Sequence, residues 1–68
     1  MVKLTSLDGR EISINAELVE TVEAKPDTTI TLTTGNRILV REKVDEVIEK
    51  IMKYRREIAS REKETSNQ

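Results

Sequence analysis

The chain contains no cysteine and no histidine. Without thiols it has neither a disulfide framework nor a thiolate zinc site to reinforce a small fold. Without imidazole it lacks the commonest general base and the commonest metal ligand. Phenylalanine and tryptophan are missing as well, leaving Tyr54 as the only aromatic residue. The core must then be aliphatic, and the stacking platform that single-stranded nucleic acid needs cannot be assembled. No excess of one charge exists either: 12 Lys and Arg stand against 13 Asp and Glu, a net charge of -1. Nucleic-acid-binding domains usually carry a basic surplus, and over residues 1–40 the balance is acidic, four basic against six acidic. The longest apolar run, Ile38-Leu39-Val40, is far short of a membrane span. Met1 leads straight into Val2-Lys3-Leu4-Thr5 with no apolar signal segment. The expectation is a cytoplasmic protein, presented at full length and not inserted in a membrane.

What is present is one small domain of 68 residues whose pattern changes once, near Arg41. Before that point apolar residues alternate, as in half-buried strands; after it they recur at helical spacing. Strands are expected over residues 2–7, 10–14, 19–24, 28–33 and 37–41. Asp8-Gly9 between the first two reads as a tight hairpin turn whose two residues both tolerate positive φ. Asn15 is placed to cap a short turn over residues 16–18 with its side-chain oxygen. Lys25-Pro26-Asp27 and Thr34-Gly35-Asn36 supply the remaining turns. Short connections make neighbouring strands antiparallel. The fold class is α+β: an antiparallel meander of five strands curling towards a half-barrel, followed by one long C-terminal helix. The domain is expected to cover residues 1–63, with 64–68 a frayed tail that has no apolar residue.

The inward set expected from this alternation is Val2, Leu4, Ile12, Ile14, Leu18, Val22, Ile30, Leu32, Ile38 and Val40. Val44, Val47, Ile48, Ile51 and Met52 of the helix should cover it. Leu7, Val19 and Leu39 fall out of phase and would mark an interface if they lay side by side. Val44, Ile51 and Ile58 share one heptad position and Val47 and Tyr54 the next, a short coiled-coil-like seam. The simpler reading is that Ile58 caps the core.

No catalytic constellation survives inspection. Serines and threonines are plentiful, but nothing is available to activate one as a nucleophile. Glu17, Glu20 and Glu23 form an acidic cluster, more simply a solvated face than a cation site, since no glycine-containing ligand loop surrounds them. Lys50, Lys53, Arg55 and Arg56 form the only basic run without an interposed acid, suited to an acidic partner or to anionic lipid headgroups. Its ordinary reading is helix-terminal charge, with Glu46–Lys50, Glu49–Lys53 and Glu57–Arg61 as i,i+4 pairs. A helix over residues 42–63 would be about 33 Å long at 1.5 Å per residue, against roughly 17–20 Å for strands of this length. Residues near its end should therefore project past the sheet. The site expected from that mismatch is Lys53, Tyr54, Arg55, Arg56 and Ile58, a surface for another polypeptide.

The ordered combination of three segments resembles the small flagellar proteins of the FlbD family, called SwrD in swarming bacteria. They are Val2-Lys3-Leu4-Thr5-Ser6-Leu7-Asp8-Gly9, then residues 14–24 with residues 26–35, then residues 40–51. The likeness covers about residues 2–56. Ile12 and Leu39 stand where such proteins often carry an aromatic, and Lys43 where a small hydroxyl residue would start the helix. The resemblance implies a bacterial flagellar accessory protein associated with swarming motility and with motor power, acting through the stator units. It carries over no catalytic residue and no cofactor. The combined expectation is a non-enzymatic binding module recruited to the flagellar motor as a homo-oligomer. The alternatives are a small nucleic-acid-binding β module and a purely structural homo-oligomer.

Overall fold

Two of the three hairpin turns, those around Gly9 and Gly35, are built in one way. In a computed structural model that describes residues 1–66, with side chains through Arg61, the order is β1 (Val2–Thr5), β2 (Glu11–Ile14), a 3-10 turn (Ala16–Leu18), β3 (Val19–Ala24), β4 (Thr28–Leu32), β5 (Arg37–Val40) and α1 (Val44–Ser66). The amide of Gly9 donates to the carbonyl of Ser6 (3.0 Å) and that of Ser6 to Arg10 (2.9 Å). Gly35 donates to Leu32 and Leu32 to Asn36, both at 2.8 Å. Among the described residues only the glycines adopt positive φ, +94° at Gly9 and +93° at Gly35. This corrects the expected two-residue turn: Asp8 keeps a negative φ, and the glycine alone takes the left-handed position after a tight turn. Asp8 serves through its side chain instead. Its carboxylate accepts hydrogen bonds from the Ser6 hydroxyl, the Arg10 amide (3.3 Å) and Arg10 Nε (2.8 Å).

The five strands are antiparallel and α+β is the architecture, but the meander is not one continuous sheet. β1 pairs with β2, and β3-β4-β5 form a second sheet. β2 and β3, neighbours in sequence, do not pair because the 3-10 turn intervenes. Asn15 caps that turn as expected, its Oδ1 accepting from the Glu17 amide at 3.0 Å. The two sheets meet instead between β1 and β5. Ser6 bridges Val40, and the Arg41 amide donates to the Thr5 carbonyl at 2.8 Å. The spatial order is therefore β2-β1-β5-β4-β3, two sheets joined at one bridge and not a closed barrel. α1 packs on β1 and β3, one strand from each sheet.

The core is Val2, Leu4, Ile14, Ala16, Ile30, Val40, Val47 and Ile51. Pairings Val2↔Ile14 and Ile30↔Ile38 turn the alternating residues of each sheet to the same side. Ile12, Val22, Leu32 and Ile38 are half-buried against that core. Three residues of the expected inward set are exposed: Leu18, Ile48 and Met52. On α1, Val47 and Ile51 occupy the narrow stripe that two short strands can cover. Ile48 and Met52, one residue further on, lie about 100° around the helix and miss it. Leu18 ends the 3-10 turn pointing outward, and Ala16, a residue too small to stand out in a pattern, is fully buried in its place. Val19, expected outside, packs on the core at a register shift in β3 between Val19 and Thr21.

The helix runs to Ser66. The expected tail over 64–68 falls partly on residues 67 and 68, which lie outside the described residues. Of the expected i,i+4 pairs, Glu46–Lys50 and Glu49–Lys53 are not closed as ion pairs among the described residues.

Candidate functional site

Consecutive helical residues cannot share a face, and the expected site divides accordingly. Lys53 and Tyr54 line a groove of about 230 Å³ with Met1, Val2, Lys3, Lys50 and Glu57. Arg55 and Ile58 line a depression on the opposite flank of α1 with Glu17 and Ala59. Arg56 is exposed between the flanks. Tyr54 does not project past the sheet: it is half-buried against the core, and Ile58 is half-buried as well. The seam Val47-Ile51-Tyr54 thus faces the sheet of its own chain. Projection begins at Ala59, from which the side chains described are all exposed.

The first groove is assembled by the packing of β1 on α1. Alternation places Val2 and Leu4 in the core and turns Lys3 outward between them. Lys50, Lys53 and Glu57 follow at i,i+3 and i,i+7 on one flank, next to Tyr54. Three lysines face one glutamate around the Tyr54 ring, a positive concavity with an apolar floor from Val2. Lys50 was legible as part of the basic run; Lys3 belongs to the site only because β1 lies beside α1. Such a surface can hold an acidic segment by charge and by contact with the ring and lysine stems. No buried side-chain nitrogen or oxygen among the described residues lacks a partner.

A larger groove, about 530 Å³, lies where the β1–β2 turn, the β3–β4 turn and the start of α1 meet. Leu7, Ala24, Pro26, Val40 and Val44 give it an apolar floor, rimmed by Asp27, Arg41, Lys43 and Asp45. Its arginine is committed elsewhere: Arg41 Nε and an outer guanidinium nitrogen donate to the Leu7 carbonyl at 3.1 and 3.0 Å. Beside it, the Glu42 carboxylate accepts the Thr5 amide at 2.9 and 3.1 Å, taking the place of a strand carbonyl. Desolvation pushes the Glu42 carboxyl up, but hydrogen bonds from the Thr5 amide, its own amide and the Thr5 hydroxyl, with the charge of Lys50, hold it below its ordinary value of 4.5. These contacts join the two sheets, and we read them as structural.

Glu17, Glu20 and Glu23 are not drawn together, and no group of three or more acidic side chains among the described residues is arranged to hold a metal ion. Leu7, Val19 and Leu39 do not fall side by side: Leu7 lies in the first turn, Val19 opposite Leu32, and Leu39 opposite Thr29. No helix among the described residues is long and apolar enough to cross a membrane.

The sequence model of the FlbD family, described as "Flagellar and Swarming motility proteins", matches residues 1–59. The matched span ends one residue past Ile58, where α1 leaves the cover of the sheet. No curated protein and no solved structure matches the chain.

Proposed function

The chain belongs to the FlbD family of flagellar and swarming motility proteins, and from that premise we propose that it is a non-enzymatic, cytoplasmic binding module that raises flagellar motor output during swarming. It is recruited to the motor by protein–protein contact, with an acidic segment of a stator or other motor component as the partner, and it works as a homo-oligomer. The partner-facing region is the helix segment Lys53, Tyr54, Arg55, Arg56 and Ile58, in which the flanks have different tasks. Lys53 and Tyr54, joined by Lys3 and Lys50, receive the acidic segment. Arg55, Arg56 and Ile58 serve contacts on the other side.

The observation that carries this reading is the lysine groove: three cations from two distant parts of the chain gathered around its single aromatic ring. Interface anchors are enriched in aromatic residues, and charge complementarity supplies partner choice and association rate. Replacing Lys50 and Lys53 together with glutamate in the motile cell should abolish the swarming contribution and leave the circular dichroism of the purified protein unchanged. Cross-linking in those cells should lose the motor component captured by the unaltered chain. Normal swarming by a folded Lys50→Glu/Lys53→Glu protein would remove the groove from the mechanism.

A further inference from the structure

On the flank of α1 away from the lysine groove, Ile48 and Met52 are 45% and 47% exposed. They stand one turn apart, and exposed Ala59 continues their line at i+7 from Met52. Charge along this flank is divided rather than mixed. Asp45 and Glu49 precede Met52; Arg55 and Arg56 follow it. Neither Glu49 nor Arg56 has an ion-pair partner among the described residues.

We infer that a second copy of this chain covers this flank, with the two α1 helices antiparallel about a two-fold axis at Met52. An isologous contact requires the patch to complement itself. About such an axis, a residue some way past Met52 lies across from one equally far before it in the partner copy. Arg56 is four residues past Met52 and Glu49 three before it, both on the solvent side of the ridge. Each Arg56 therefore meets the Glu49 of the other copy, and the pair forms twice. Met52 packs on its own counterpart, and Ile48 lies against the aliphatic stem of the other copy's Arg55. A parallel arrangement would instead set acid against acid and base against base along the whole contact. Antiparallel helices also place opposite ends of their dipoles together. This names the surface for the self-association included in the reading above and rests on it; the lysine groove lies on the other flank and is left free.

The test is sedimentation velocity on the 68-residue chain from micromolar to millimolar concentration. The unaltered chain should pass from monomer to dimer mass across that range. Glu49→Arg and Arg56→Glu, both at exposed positions, should each weaken the dimer by about tenfold, since each converts two attractive pairs into two repulsive ones. The double variant restores both pairs with their signs exchanged and should return to within about threefold of the unaltered chain. Single variants that dimerise as well as the original, or a double variant weaker than either single, would overturn the antiparallel interface while leaving self-association standing. A chain monomeric throughout would overturn interface and self-association alike, and the groove, tested by swarming, would be untouched by that result.

Discussion

Gly9 and Gly35 occupy the same place in two turns of one construction, with φ of +94° and +93°, yet their surroundings have nothing in common. Around Gly9 the guanidinium of Arg41 stands where a Cβ would point, 3.5 Å away, and donates to the carbonyl of Leu7. The Asp8 carboxylate gathers Ser6 and Arg10, and Glu42 holds the Thr5 amide at the foot of the hairpin. Around Gly35 nothing lies within 4 Å of that position; the Thr34 hydroxyl accepts from the Asn36 amide at 3.5 Å, and the Thr33 amide donates to the Leu18 carbonyl at 2.7 Å. The backbone of a turn is set by its own few residues. What the turn does for the fold is set by which part of the chain comes to rest on it. The first turn sits where the two sheets join, so side chains just after β5 converge on it; the second meets the end of the 3-10 turn through one backbone bond, Thr33 to Leu18.

The strongest way to sharpen this contrast is to remove Glu42. Glu42→Ala leaves the Thr5 amide without its charged acceptor and should lower unfolding free energy by about 2 kcal/mol, read as a lower urea midpoint. A loss no greater than that of a surface substitution would show that the two sheets do not depend on this contact. The glycines come next. Gly9→Ala and Gly35→Ala should each cost about 1 kcal/mol, from the left-handed backbone alone. Contact at 3.5 Å is ordinary packing, so their thermal shifts should match. A much larger loss at Gly9 would mean that Arg41 cannot yield. Arg41→Ala should cost somewhat less, about 0.5–1 kcal/mol for exposed hydrogen bonds, whereas Thr34→Ala in the other turn should leave the melting temperature unchanged.

The smallest effect is the pH dependence that separates the turns. Asp8 titrates below its ordinary 3.8, chiefly because the Ser6 hydroxyl and the Arg10 amide donate to its ionised form. Glu42 also titrates below its ordinary 4.5, its hydrogen bonds outweighing its desolvation. For a carboxyl lowered by folding, the added stability is complete above the unfolded value and is lost as pH falls through the folded one. The urea midpoint should therefore decline as the medium is acidified below 4.5, less steeply in Glu42→Gln, and only slightly less in Asp8→Asn, whose carboxylate is exposed. An unchanged acid limb in Glu42→Gln would place the pH response outside this joint.

Much of this molecule was legible beforehand because its signals are local. Alternation in residues 2–40, glycines after polar turn residues, the Asn15 cap and the helical stripe after Arg41 each act within a few positions. Ile48 and Met52 escape the core because a helical pattern shows which residues are apolar, not how wide a surface awaits them; only Val47 and Ile51 of α1 are fully covered among the described residues, with Tyr54 half-buried beside them. Ala16 leaves no mark in the pattern, because a methyl group carries little weight there, yet it is fully buried. Of the groove, Lys50 and Lys53 are legible in the basic run, whereas Tyr54, expected from the helix length to project past the sheet, packs half-buried against the core. Lys3 is not legible, since nothing near residue 3 refers to residue 50.

By itself, the sequence determined the elements, their antiparallel sense, the glycine turns, the aliphatic core and the absence of imidazole and thiol chemistry. These follow from residue types and from spacings shorter than one element. Tertiary structure alone decided that the sheets join through β1 and β5, that Arg41 and Glu42 lock that joint, and that the expected partner segment is split between two flanks of α1. Those outcomes depend on which distant segments share the limited surface of a small core, and long-range packing is not written in any local period.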